Sequence, residues 1–210
     1  MLTITAQFLA LAVFGALLAE GAGYVWHRCA CHVGVFRRVF NDFFRRRHFD
    51  HHMHKYGVKR LHSQIYEQSC EVAFHPMGIG IILVLVSLAL SGLITWLVFA
   101  AILSGALVYG VYGLGGMHTL YHLDDEVVRR MWLFRTQPMW RMYVWLRDYH
   151  LVHHFVNKNF AILLPIFDIL GRSYASPSKL PVLELERGRR ENLFPRFDAR
   201  LSSSCGEALL

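Results

Sequence analysis

Ten of the 13 histidines in this chain fall into four short clusters: His27 and His32; His48, His51 and His52; His118 and His122; His150, His153 and His154. The spacings are HX4H, HX2HH, HX3H and HX2HH, and chance placement does not produce that series in one chain of 210 residues. Imidazole is the commonest protein metal ligand. One tetrahedral zinc needs four ligands, so ten imidazoles suit two ions of higher coordination number. No carboxylate recurs in the clusters, which sets the chain apart from the Glu/His di-iron bundles. An all-imidazole pair of redox metals beside a bilayer points to O2 activation by iron; zinc can take the place of iron in recombinant protein.

On a helix, positions i, i+3 and i+4 share one face. His48, His51 and His52 meet that rule, as do His150, His153 and His154, and His118 and His122 are four apart. His27 and His32 are five apart, about 140° around a regular helix. Either the helix loosens at Cys29–Cys31 or these two histidines serve different metals. Cys29 and Cys31 raise a Cys/His zinc site as an alternative, but two thiols leave eight clustered histidines unexplained.

The elements that must position these side chains are apolar helices. Residues 76–117 contain no Asp, Glu, Lys or Arg, and mean hydropathy is positive at +0.31. Such a run makes about 63 Å of helix, twice a hydrocarbon core of about 30 Å. It therefore predicts two spans, about 76–95 and 97–117, joined by a turn near Ser91–Thr95. Residues 2–26, broken only by Gln7 and Glu20, predict another; with no basic segment before it, this reads as a retained span rather than a cleaved signal. All 22 Lys and Arg lie in 28–75 or 127–200, which by the positive-inside rule puts both segments in the cytoplasm. The net charge of +7 is thus explained without a nucleic-acid partner. The expected fold is all-α and integral to the membrane, multi-pass, with about three transmembrane helices and a cytoplasmic helical cap carrying a dimetal site. A membrane-embedded unit is expected over 1–173, with a loosely ordered tail over 174–210.

Other residues are weighed singly. Glu20 lies inside the first span, where a carboxyl is costly and usually functional, and could orient a histidine from another segment. Asp124, Asp125 and Asp148 adjoin clusters and could accept imidazole N–H bonds; solvated charge is the alternative. Asn157 or Asn159 could hold a metal-bound water. His54, His62 and His75 fit no cluster and read as bystanders. The GLGG at 113–116 lies in an apolar span with no strand before it, so close helix packing accounts for it better than a dinucleotide loop. Arg45–Arg46–Arg47 reads as facing anionic lipid head groups. The Trp- and Arg-rich stretch 123–149 reads as an interfacial amphipathic helix.

The ordered motifs HRCACH (27–32), HFDHH (48–52), HTLYH (118–122) and HLVHH (150–154) resemble the fatty acid hydroxylase / sterol desaturase superfamily over residues 20–172. NKNF (157–160) and LPIFDILGR (164–172) are similar to that family's downstream elements, with Asp168 and Gly171 one residue closer together than usual. The resemblance implies an integral-membrane di-iron oxygenase that hydroxylates a lipid C–H bond, whether fatty acyl, sterol or isoprenoid. Its co-substrate is O2. Two electrons come from an external ferredoxin or cytochrome b5-like donor with an NAD(P)H reductase, since the chain has no haem, flavin or NAD(P) motif of its own. Desaturation and carotenoid ring hydroxylation are the alternatives within the class. A metal transporter would place ligands near the bilayer midplane, where residues 77–116 offer no His, Cys, Asp or Glu.

Overall fold

The computed structural model describes residues 3–33, 43–56, 61–65 and 75–193. These are helical, and among them the only extended pairing is an isolated bridge between Ser63 and Leu123. Helix α1 (Ile4–Trp26) starts where the Thr3 side chain accepts the Ala6 N–H, and it continues without a break into a wide π-turn segment, His27–Val33. Helix α2 (Phe43–Asp50) likewise runs into a π segment, His51–Lys55. Helices α3 (His75–Leu90) and α4 (Trp96–Val108) form a hairpin over the 91–95 turn, where Gly92 takes φ +74° and Thr95 caps α4 by accepting the Val98 N–H. After Val108 the same helix widens into π turns over Tyr109–Met117 and closes with His118–Tyr121.

Two helices are long and apolar enough to cross a membrane: Ile4–Val33, with 30 residues, and Trp96–Tyr121, with 26. Only 28% of each apolar window is buried inside the protein, whereas the core helix of a water-soluble fold buries most of its surface. Their outward faces carry Leu9, Val13, Phe14, Leu97, Leu107 and Val111, all exposed. Helix α3 is shorter: 16 residues make about 24 Å, less than a hydrocarbon core.

The two long helices cross in near backbone contact. A Cβ on Gly15 would lie 2.0 Å from the Ile102 carbonyl oxygen, and one on Gly105 would lie 1.7 Å from that of Ala12. Small residues let membrane helices approach this closely. The crossing therefore depends on Gly15 and Gly105, not on GLGG. In that motif Gly115 and Gly116 face only carbonyls of their own helix, while Gly113 makes room for the Tyr109 ring.

Beyond these helices lie α5 (Asp125–Arg129), a 3-10 turn (Trp132–Phe134), α6 (Gln137–Phe155), α7 (Ile166–Leu170), a second 3-10 turn (Pro177–Lys179) and α8 (Leu180–Leu193). Helix α6 packs Tyr143 and Leu146 against Tyr121, Val128, Phe134 and Ile162. Its C-terminal end joins Leu61 and Leu180 in a second core. Part of the expected loose tail is thus packed: Asn159 fixes the Ala175 backbone, and buried Leu180 sits with Leu183 in the second core. Its end, 194–210, lies outside the described residues.

Candidate metal centre

The π segment at the end of α1 settles the HX4H spacing. A π turn closes i to i+5, so His27 and His32 come to one side, with ring centres 5.2 Å apart. Both join His48, His52 and His153 in a group whose ligand nitrogens all lie within 4.8 Å of one another. A second group of the same closeness contains His51, His122, His150 and His154.

Each HX2HH cluster is divided between the groups. On the α2 helix, His48 and His52 are one turn apart and enter the first group, while His51 points to the second. On α6 the roles reverse: His150 and His154 enter the second group and His153 crosses to the first. Sharing a helical face therefore means entering two adjoining histidine groups, not a single one. His118 is buried beside the second group, its ring centre 4.8 Å from His150 and 4.9 Å from His51. It is not one of the four mutually close nitrogens.

The first group is built around His48 Nε2. The Nε2 atoms of His32, His52, His27 and His153 stand 2.7, 2.8, 3.0 and 3.5 Å from it. Nitrogens held at about 2.1 Å on one ion and at right angles to each other are about 3.0 Å apart, so these separations fit a common ion. The tautomers fit as well. The Nδ1–H of His27 donates to the Phe160 carbonyl at 2.7 Å, and that of His153 to the Lys158 carbonyl at 2.6 Å. A carbonyl can only accept, so in both rings Nε2 carries the lone pair. In the second group, His122 Nδ1–H donates to Leu61 at 3.0 Å and His154 Nδ1–H to Tyr56 at 3.1 Å. That leaves His154 Nε2 buried without a partner, a lone pair aimed at the other three imidazoles. Backbone acceptors of this kind fix ring orientation in metal sites.

The electrostatics favour neutral ligands. Burial, reinforced by neighbouring imidazoles, pushes His48, His51, His52, His150, His153 and His154 well below the ordinary histidine range. Burial, with His118 adding to it, does the same to His122. Neutral imidazole is the metal-binding form. The residues present fit metal ions.

The remaining expected residues divide. Asn157 is exposed and lies close to His32. Asn159 does not face the groups: its amide donates to the Tyr149 and Ala175 carbonyls and its oxygen accepts the Ala175 N–H. All its polar atoms are engaged in holding a backbone turn at φ +57°. Asp125 and Asp148 pair with Arg147, a stronger attraction than a neutral imidazole offers. Asp124 sits at the start of α5, its backbone N–H bonded to Ser63. Glu20 is fully buried and turns to backbone: its Oε1 accepts the N–H groups of Ile162, Leu163 and Leu164, each at 3.0 Å. His62 lies outside both groups. The side chains of His54 and His75 lie outside the described residues. Cys29 and Cys31 belong to neither group, and Cys31 packs on Phe44. Arg45, Arg46 and Arg47 are all exposed on α2.

Sequence reasoning passed over Tyr56, whose ring stacks on His122 at 4.2 Å while its carbonyl holds His154. It also assigned no role to Asp168, which is fully buried; a lone carboxyl inside the apolar stretch 161–170 was the available signal. Scans against family models, curated proteins and solved structures return no match for this chain.

Proposed function

We propose that this chain is a membrane-bound dimetal oxygenase that inserts a hydroxyl group into a C–H bond of a lipid. The observation that carries the reading is the pair of adjoining all-imidazole groups, five and four histidines, at the ends of helices able to cross a membrane. The ordered histidine motifs and their resemblance to lipid hydroxylases support the same class. In this reading His27, His32, His48, His52 and His153 hold one iron, and His51, His122, His150 and His154 hold the other, with His118 alongside. Iron bound there supplies the O2 and C–H chemistry. The overall change is C–H plus O2, two electrons and two protons to C–OH and water, the electrons coming from a separate protein donor.

The chain's own part is to orient and to exclude water. Four imidazoles are fixed by carbonyls of residues 56, 61, 158 and 160. The ligands are buried, apart from half-buried His32 and His52. In this reading α3 and α4 are the second and third of three spans, the bilayer thinning locally to meet the short α3, and the basic segments put the histidines on the cytoplasmic side.

The test is to express the chain in a host with a suitable reductase and compare lipid extracts by mass spectrometry, with His51→Ala as control. A gain of one oxygen that His51→Ala abolishes is expected. A loss of two hydrogens instead would make it a desaturase, and an unchanged lipid profile with both metals bound would contradict the reading.

A further inference from the structure

Residues 158–164, within the 156–165 connection from α6 to α7, have no regular secondary structure, so their backbone N–H groups need partners. Five consecutive ones find them on two carboxyl groups. Asp168 accepts from Phe160 at 2.9 Å and Ala161 at 2.8 Å, and Glu20 Oε1 accepts from Ile162, Leu163 and Leu164. Asp168 is itself held by the Tyr149 hydroxyl and by Ser173 Oγ at 2.7 Å. The same strip turns carbonyls toward the metal centre: Lys158 takes His153 and Phe160 takes His27. The Phe160 ring packs edge-on to His27, His32 and His153, at 5.8, 5.0 and 5.4 Å. Every one of these imidazoles belongs to the five-histidine group. The second group draws its carbonyls from Leu61 and Tyr56, in another part of the chain.

We infer that Glu20 and Asp168 are positioning residues for the five-histidine site alone, acting through the backbone strip 160–164. Glu20 acts as an acceptor: its three bonds converge on Oε1, and Oε2 has no partner. The amide oxygen of a glutamine can occupy the Oε1 position, with its NH2 group in place of Oε2. The inference rests on reading that group as a metal site; it does not depend on what reaction follows.

The experiment titrates the full chain in detergent with Co(II) alone, reading bound metal and the cobalt ligand-field absorption. In a His154→Ala background the remaining ion reports on the five-histidine site; in a His48→Ala background it reports on the other. Glu20→Ala should weaken cobalt binding about 10- to 100-fold in the first background, shift the absorption there, and leave the second background unchanged. Glu20→Gln should restore binding. Asp168→Asn, which keeps volume but one acceptor oxygen, should show the same selective loss, and decides the matter if Glu20→Ala fails to fold. Equal weakening in both backgrounds, no weakening in either, no rescue by glutamine, or a wild-type chain that takes up only one Co(II) would each overturn it. Selective loss in a protein that oxidises no lipid would uphold this inference while removing the proposed function.

Discussion

The rings of His52 and His154 lie 4.0 Å apart, centre to centre, although the two side chains belong to different histidine groups. The groups therefore share a wall at this pair, and removing either of these two rings should be felt by the other group. Replacing either residue by alanine should abolish turnover while leaving one metal ion per chain. Its affinity should differ from that of the same site in the intact protein. Metal analysis with lipid product formation checks this; a variant that keeps both ions and full activity contradicts it.

His48→Ala should abolish turnover, because four other Nε2 atoms lie within 3.5 Å of its own. His62→Ala should keep substantial activity, since His62 belongs to neither group. His118→Ala should fall between His62→Ala and His122→Ala, as His118 borders the second group without joining its close set. One product assay on these variants gives the order, and His62→Ala as inactive as His48→Ala would break the division into ligands and bystanders.

Much of this was legible in the sequence for a physical reason: metal ligation restricts residue type and helical spacing together. The clusters, the two helices long and apolar enough to cross a membrane and the turn at 91–95 follow from that and from hydropathy. What spacing could not reveal is which group a same-face histidine joins, because i+3 and i+4 diverge enough to part His51 from His52 and His153 from His154. Nor could it reveal the backbone acceptors, since the Phe160 and Tyr56 carbonyls carry no residue signature. Asn159 and Asp125 misled because polar groups beside a cluster find stronger partners elsewhere: backbone amides for Asn159, Arg147 for Asp125.

The helix crossing makes a packing prediction. Gly105→Val places methyls where the Ala12 carbonyl already stands, and overpacking costs about 1–3 kcal/mol or more. The thermal midpoint in detergent should fall clearly, whereas Gly80→Ala, which meets open space, should leave it near wild type. Equal midpoints for the two variants would contradict the close crossing.

The buried imidazoles set a pH dependence for the metal-free protein. Those of His48, His51, His150 and His154 stay neutral in the folded chain because burial lowers their pKa values, whereas an unfolded imidazole takes up a proton near pH 6.5. Their contribution is complete above about pH 6.5 and is lost as pH falls below it toward the depressed folded values. The thermal midpoint should therefore drop between about pH 7.5 and about pH 5.5; a flat or rising profile would contradict this.

Topology is open to a direct check. A reporter fused after Leu210 should face the cytoplasm and one inserted near Gly92 the opposite side. The same compartment for both would defeat the three-span arrangement.

The central claim is that the two histidine groups hold a pair of ions, and counting iron tests it most directly. Protein purified in detergent with ferrous iron supplied should contain close to two irons per chain, falling to one in His48→Ala and in His122→Ala. A single iron per chain that saturating iron does not increase would contradict the dinuclear centre.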